Sequence, residues 1–385
     1  MVNLKLEDEA SWHLNAMRGI AAVMVLLNHF RNIFFVTYQD IENQNIFTLF
    51  LYSFAGLGHE AVMVFFVLSG FLISNSVLKS LRNWSWQHYM INRLTRLSVV
   101  LIPALFLGLI IDLAGLYLFD YSFFPHEMAE RINVEVLLGN LLYLQGFAVP
   151  VLGTNDPLWS LSYEFWYYLL FPLFMLSFSK TNGFLVKVCY LTIAVICMWF
   201  VGSRVSLYFL IWLMGFIVLI TPALSVKNRL SVTVIKLITI MLFVASLGIS
   251  RLGLISNGFL GDILVAFTFS VLVYVTVHLS NVYGLSAILK ERYRKCAEWL
   301  SGFSYTLYLV HFPILIFLFA LFSDLGMEKL QPSILNVIFG IGICVVISLI
   351  AYWISLVTEN KTNRVKELIY AFINSASKTL SGVRK

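Results

Sequence analysis

The chain has little charge: only 12% of its 385 residues are Asp, Glu, Lys or Arg, whereas 60% are hydrophobic. A soluble domain of this length could not hide so much apolar surface, which excludes a water-soluble class. Cysteine is sparse as well. Cys189, Cys197, Cys296 and Cys344 are scattered, three of them within apolar runs, with no CxxC pair and no metal-ligand spacing. Neither a disulfide framework nor a zinc site is expected, and no metal is assigned. The first 13 residues lack a basic n-region and a small-residue cleavage site and carry Glu7, Asp8 and Glu9, so no removable leader is expected. Internal repeats, low-complexity tracts and linkers to a second domain are also missing, and nothing points to nucleic acid.

What the chain does have is apolar and aromatic sequence. Runs of spanning length lie near 14–36, 58–78, 97–119, 157–178, 184–201, 204–222, 234–252, 260–281, 302–323 and 334–357. With 33 Phe, 18 Tyr and 9 Trp, they suit lipid-facing helices with aromatic belts at the interfaces. The expected fold is therefore all-α, a polytopic transmembrane helix bundle of about ten spans. One further run, 134–150, is short, and the hydropathy pattern leaves it either spanning or re-entrant.

Positive charge arbitrates. If 134–150 does not cross and the N-terminus is cytoplasmic, only Arg31, Arg131, Arg204, Arg251 and Lys329 of the 26 basic residues fall outside. If it crosses, everything after it inverts and most basic residues are exported. Ten spans with both termini in the cytoplasm are expected. Segment 119–156 then becomes an acidic extracytoplasmic excursion containing Asp120, Glu127, Glu130, Glu135 and Asp156. The membrane domain is expected over 1–359. A short basic cytoplasmic tail, 360–385, is suited to an anionic leaflet.

Ionisable groups inside such spans are costly and mark function by default. Arg18 and His29 are eleven residues apart, which returns them to one helix face with a rise of ~16 Å between them. The alternative is a snorkelling arginine and a structurally bonded histidine. Ser160, Glu164 and Tyr168 share one face of another span, and His29, at similar depth, is the expected partner of Glu164. Ser304, Tyr308 and His311 line a face of the ninth span, where Pro313 frees a carbonyl one turn back. For His311, structural bonding and ligand contact stand as equal alternatives. Ser69 and Gly70 permit close helix approach, and Trp159 and Tyr163 fit interface anchors or the walls of an acceptor site. The loop after the second span gathers Lys79, Arg82, Arg93 and Arg96. It is either ordinary positive-inside charge or a cradle for a phosphorylated ligand.

Taken in order, Arg18-x10-His29, the FFVLSGF run at Phe65–Phe71, RLTR at Arg93–Arg96 with Pro103 downstream, LWSLSYE at Leu158–Glu164 and GFSYTLYLVH at Gly302–His311 resemble the acyltransferase-3 family of integral membrane acyltransferases. The resemblance covers residues 10–360. It implies transfer of an acyl group, usually acetyl, from cytosolic acyl-CoA to a hydroxyl of a surface or secreted glycan at the bacterial inner membrane. Acetyl-CoA would be the donor substrate, with no tightly bound cofactor, and a free glycan or a lipid-linked saccharide the acceptor. Carried over by position, Arg18 and His29 belong to the family's essential first-span motif, Glu164 matches its carboxylate, and Arg93 and Arg96 match its donor-binding segment. Relatives that acetylate peptidoglycan continue into an esterase-like domain, whereas this sequence ends soon after its last span, which favours a stand-alone glycan acetylase. The family's proline after the last-span Glu is replaced here, where Glu359-Asn360-Lys361 stands.

On this reading His29 is the general base, Glu164 orients its imidazole, and Ser69, Tyr305 or Tyr308 donates to the oxyanion. Trp159, Ser160 and His311 complete the candidate acceptor contacts. A covalent acyl-enzyme is the open variant. The rival class is a secondary transporter with His29, Glu164 and His311 as a proton relay, which the missing inverted repeat disfavours.

Overall fold

The computed structural model describes residues 8–119, 128–226, 228–279 and 287–382. Lys5, Asp120, Glu127, Lys227, Arg384 and Lys385, used in the charge reading, lie outside these residues. Among the described residues the chain is helical without strands, with two isolated bridges, Phe35–Leu330 and Gln145–Val149. The helices in chain order are α1 (Asp8–Phe34), α2 (Ile46–Phe54), α3 (Gly58–Ser80), α4 (Trp86–Leu118), α5 (Met128–Arg131), α6 (Val134–Leu141), α7 (Trp159–Ser177) and α8 (Phe184–Ile220). They continue with α9 (Arg229–Arg251), α10 (Gly258–His278), α11 (Ala287–Gly302), α12 (Ser304–Asp324), α13 (Ile334–Val357) and α14 (Thr362–Gly382).

Among the described residues, eight helical stretches are long and apolar enough to cross a bilayer, so this is a multi-pass membrane protein. The count differs from ten at two places. α7 is 19 residues long but is diluted by Glu164 and five Tyr and Trp residues, which lowers its mean hydropathy. α8, at 37 residues, would be ~55 Å long if straight, well beyond a ~30 Å hydrocarbon core. It is not straight: Gly202 breaks it with φ 81° and ψ 174°, a region open to glycine. Ser206 Oγ donates to Met198 O across the break (3.1 Å). The second half then runs alongside α7, with Tyr208 against Trp159 and Tyr163, and Phe216 against Phe171.

Segment 134–150 does not cross. α6 has eight residues and rises only ~12 Å. The chain then folds back on Asn140, whose Nδ2 donates to Pro150 O (2.9 Å) and whose Oδ1 accepts from Leu152 N (3.1 Å). Tyr143 is carried into the bundle, stacked on Phe165 and bonded to Ser98 Oγ. The basic segment is also not a loop. Ser85 caps it by accepting from His88 N, so α4 begins at Trp86 and carries Arg93 and Arg96 on helical turns.

Two helix-interior prolines follow the accounting that a membrane imposes on backbone groups. Pro172 frees Tyr168 O, which accepts from Tyr89 Oη (2.9 Å). Pro313 frees Leu309 O, which accepts from Asn155 Nδ2 (2.8 Å). At the centre, α3 packs against α8 through two glycines. A Cβ at Gly70 would overlap Trp212 O, and one at Gly215 would overlap Val67 O. Both obstacles are backbone, so neither can yield by a rotamer change. Gly215→Ala is therefore expected to cost about 1–3 kcal/mol, the usual toll of overpacking, and to lower the unfolding midpoint in detergent. An unchanged midpoint would contradict this contact.

Candidate active site

Two helices place guanidinium groups around one cleft. Arg18 comes from α1, and Arg93 and Arg96 from one face of α4 at i, i+3 spacing. Lys366 of α14 joins them, in a cleft enclosing about 1600 Å³ of empty space, part of it open to solvent. Arg93 is fixed: its guanidinium donates to Ser76 Oγ (2.7 Å) and lies over the rings of Tyr89 (5.4 Å) and Tyr168 (5.9 Å). Arg18 donates to Ser301 O (3.1 Å), at the end of α11. Arg96 makes no hydrogen bond or ion pair among the described residues, so its charge is available to the cleft.

The cleft narrows at Arg18, Arg96, Tyr305 and Glu359, which also line a second cavity of about 670 Å³ reaching further into the bundle. Ser160, Glu164 and Tyr168 all face this cavity, as their four-residue spacing along α7 requires. Ser304 and Tyr308 face it from α12. Its far wall is Val62, Phe65 and Tyr308, with the last two rings edge-on at 5.7 Å.

Glu164 does not pair with His29. Glu164 Oε1 accepts from Ser69 Oγ (2.9 Å) and from Tyr168 Oη, and the carboxylate shares the cavity with Arg18 and Arg96. Two hydroxyls and two guanidinium groups compensate its charge, so no imidazole is needed. His29 turns instead to α12, where its Nδ1 meets His311 Nε2 at 2.8 Å with the rings nearly parallel. His311 is fully buried, and its Nδ1 lies 2.9 Å from Leu307 O. A carbonyl can only accept, so His311 Nδ1 carries the proton and, in an uncharged ring, Nε2 accepts. His29 Nδ1 must then donate. The remaining nitrogen, His29 Nε2, keeps its lone pair and has no hydrogen-bond partner among the described residues.

The family described as Acyltransferase domain matches residues 12–353, nearly the whole chain. The chain belongs to this acyltransferase family. It is 27% identical over 173 residues to an O-acetyl transferase of Shigella phage Sf6, covering 44% of this chain and 47% of that protein. It is 32% identical over 139 residues to the peptidoglycan O-acetyltransferase OatA of Listeria monocytogenes serovar 1/2a, covering 34% of this chain and 21% of that protein. The chain thus spans less than half the length of either relative. No solved structure matches it.

Several expected site residues of the acyltransferase are otherwise engaged. Tyr305 Oη donates to Leu97 O (3.0 Å) and Tyr308 Oη to Pro157 O (3.0 Å), while Ser69 donates to Glu164. None of these hydroxyls has a proton left for an oxyanion. Ser160 Oγ is bonded to Tyr308 Oη (2.6 Å). Trp159 does not line the cavity and packs in an aromatic cluster with Phe66, Tyr163 and Tyr208, of which Phe66 is a cavity wall. His311 has both nitrogens occupied and so has no free contact for a ligand.

Glu359 is the residue whose position the sequence left open. It lies just past α13, lines both the cleft and the cavity, and its Oε2 accepts from Thr306 N (3.1 Å) and Thr306 Oγ1 (3.0 Å). The available signal was a lone acid ending an apolar run. Thr306→Val preserves shape but leaves that carboxylate one donor short. It is expected to cost about 1–3 kcal/mol in a denaturation assay of the purified protein. Wild-type stability would show that Thr306 Oγ1 contributes nothing there.

Proposed function

We propose that this acyltransferase moves a short acyl group, most simply acetyl, from acyl-CoA to a hydroxyl of an extracytoplasmic or surface glycan. The two relatives are named for O-acetyl transfer, one of them to peptidoglycan. The observation that carries the reading is the relay from Leu307 O through His311 to His29, which leaves His29 Nε2 as an oriented base. That base lies on the same α1 face as Arg18, about three helical turns away from the cationic cleft. On this proposal the chain crosses a bacterial inner membrane ten times with both ends in the cytoplasm. The Arg18, Arg93 and Arg96 cleft then opens to the cytosol, and His29 lies toward the outside.

The cleft suits the phosphates of coenzyme A, since guanidinium groups bind phosphate in a planar, bidentate manner. The pantetheine arm would pass between Arg18 and Arg96 into the 670 Å³ cavity. His29 Nε2 takes the proton of the acceptor hydroxyl as its oxygen attacks the thioester carbonyl. The carbon–sulfur bond breaks, an ester forms, and the imidazolium returns the proton to the departing thiolate. His311 is a positioning residue: it fixes the tautomer, as the acid of a catalytic triad does. Glu164 belongs to the donor cavity and balances its arginines. A carrier relay would need Glu164 joined to both histidines, but its hydrogen bonds run to Ser69 and Tyr168.

Three variants test this. His29→Ala is expected to reduce acylation by roughly 10²–10⁴-fold with purified protein, acetyl-CoA and glycan acceptor. His311→Phe should lower kcat while leaving the KM for acetyl-CoA unchanged. Wild-type glycan acylation by well-inserted His29→Ala would remove the base assignment. Arg96→Ala loses a charge-assisted contact worth about 1.5–3 kcal/mol, so the KM for acetyl-CoA should rise by roughly 10–100-fold and the acceptor KM should not. Equal weakening of both would contradict a donor cleft.

A further inference from the structure

The catalytic cavities do not account for a second groove on the other side of α1. Two clefts, of about 1020 Å³ and 720 Å³ of empty space, share Met17 and Leu272 as wall residues and so form one continuous groove. It runs between α1 and α9, with α10 as its floor. α9 lies at the periphery of the bundle, and only Thr239 and Ser246 along it are buried. The face it turns to the groove is read directly from the walls: Arg229, Thr233, Lys236, Ile240, Phe243 and Leu247, spaced alternately by four and three residues. That spacing is one stripe of a helix. It is cationic over its first two turns and purely apolar beyond.

The groove is therefore amphipathic along its length. At the end nearest the α1 N-terminus lie Arg229 and Lys236, with His13 opposite them. Glu9, an acid close by on α1, is held by Lys290 Nζ at 2.7 Å. The other end is walled mainly by apolar side chains, Met24, Phe54, Leu57, Phe243 and Leu247, with Glu60, which accepts from Ser250 Oγ (3.0 Å), as the acid among them. Its apolar half offers water few partners, and hydrocarbon chains fill it from the bilayer at little desolvation cost. Two cationic side chains at interfacial depth attract anionic headgroups, by roughly 1 kcal/mol each.

We propose that this groove is a binding site for one anionic phospholipid. Its phosphate would lie at Arg229 and Lys236, and one acyl chain along Ile240, Phe243 and Leu247 against Met17 and Met24. The lipid comes from the leaflet that contains the α1 N-terminus, cytoplasmic in the orientation proposed above. Because Arg18 and His29 lie on the same helix, the bound lipid braces α1 from the side opposite the donor cavity.

The test is native mass spectrometry of purified protein incubated with vesicles of phosphatidylglycerol or of phosphatidylcholine. Wild type should retain one phosphatidylglycerol per chain and little phosphatidylcholine. Arg229→Gln with Lys236→Gln should lower retention by roughly fivefold for each charge removed. The exchange Arg229→Lys with Lys236→Arg, a control for folding, should keep it. Ile240→Trp, which fills the chain groove, should lower retention with both charges intact. Equal retention of the two lipids, or wild-type retention by the double glutamine variant or by Ile240→Trp, would overturn the site. Displacement of the lipid by inorganic phosphate would show a free-anion site instead and would equally overturn it.

Discussion

A hydrogen bond between two imidazoles inside a lipid slab is the constraint on which the rest of this structure depends. A neutral ring carries one donor and one acceptor, and both need partners where water is scarce. Leu307 O fixes the first ring, His311 fixes the second, and the chain of donors ends with a lone pair at His29 Nε2. The direction of the relay is set by a backbone carbonyl, the one group in the chain that cannot reverse its role. α12 is itself held by Asn155 at the carbonyl that Pro313 releases, so the helix break and the relay are parts of one arrangement.

The charged groups are divided between two compartments of the bundle. The carboxylates of Glu164 and Glu359 lie with Arg18 and Arg96 around the proposed donor cavity, where each acid also receives hydroxyl or amide donors. The histidines are not among the residues lining that cavity; His311 lies beside the Tyr308 ring (6.1 Å), and no acid among the described residues is bonded to either. Under the proposed function, strong electrostatics sit where the phosphates of the donor would enter, and the neutral imidazole is the proposed base.

Much of this was legible in the residues, and the failures share a cause. Hydropathy located the long helices, and the positive-inside rule excluded a crossing at 134–150, where α6 proved to be eight residues long. Periodicity put Ser160, Glu164 and Tyr168 on one face, and the cavity shows them together. Depth along a helix can be counted from sequence, but the azimuth at which two helices meet cannot. That is why His29 and Glu164, read at similar depth, were expected to pair, whereas Glu164 lies with Arg18 and Arg96 and the packing of α1 on α12 gave His29 to His311. Tyr305 and Tyr308 were expected as oxyanion donors for the same reason, since nothing local reveals that Leu97 O and Pro157 O claim them. The basic segment read as a loop because its charges hid the helical continuation that Ser85 caps.

The tautomer of His29 tests the account most directly. Nitrogen NMR of protein carrying ¹⁵N-labelled histidine, with His29 assigned by comparison with His29→Gln, distinguishes a protonated ring nitrogen from one that bears a lone pair. The account predicts a neutral His29 ring protonated and hydrogen-bonded at Nδ1, with an unprotonated Nε2 whose signal shifts when His311 is replaced by Phe. A His29 protonated at Nε2, or one whose spectrum is indifferent to the loss of His311, would contradict it.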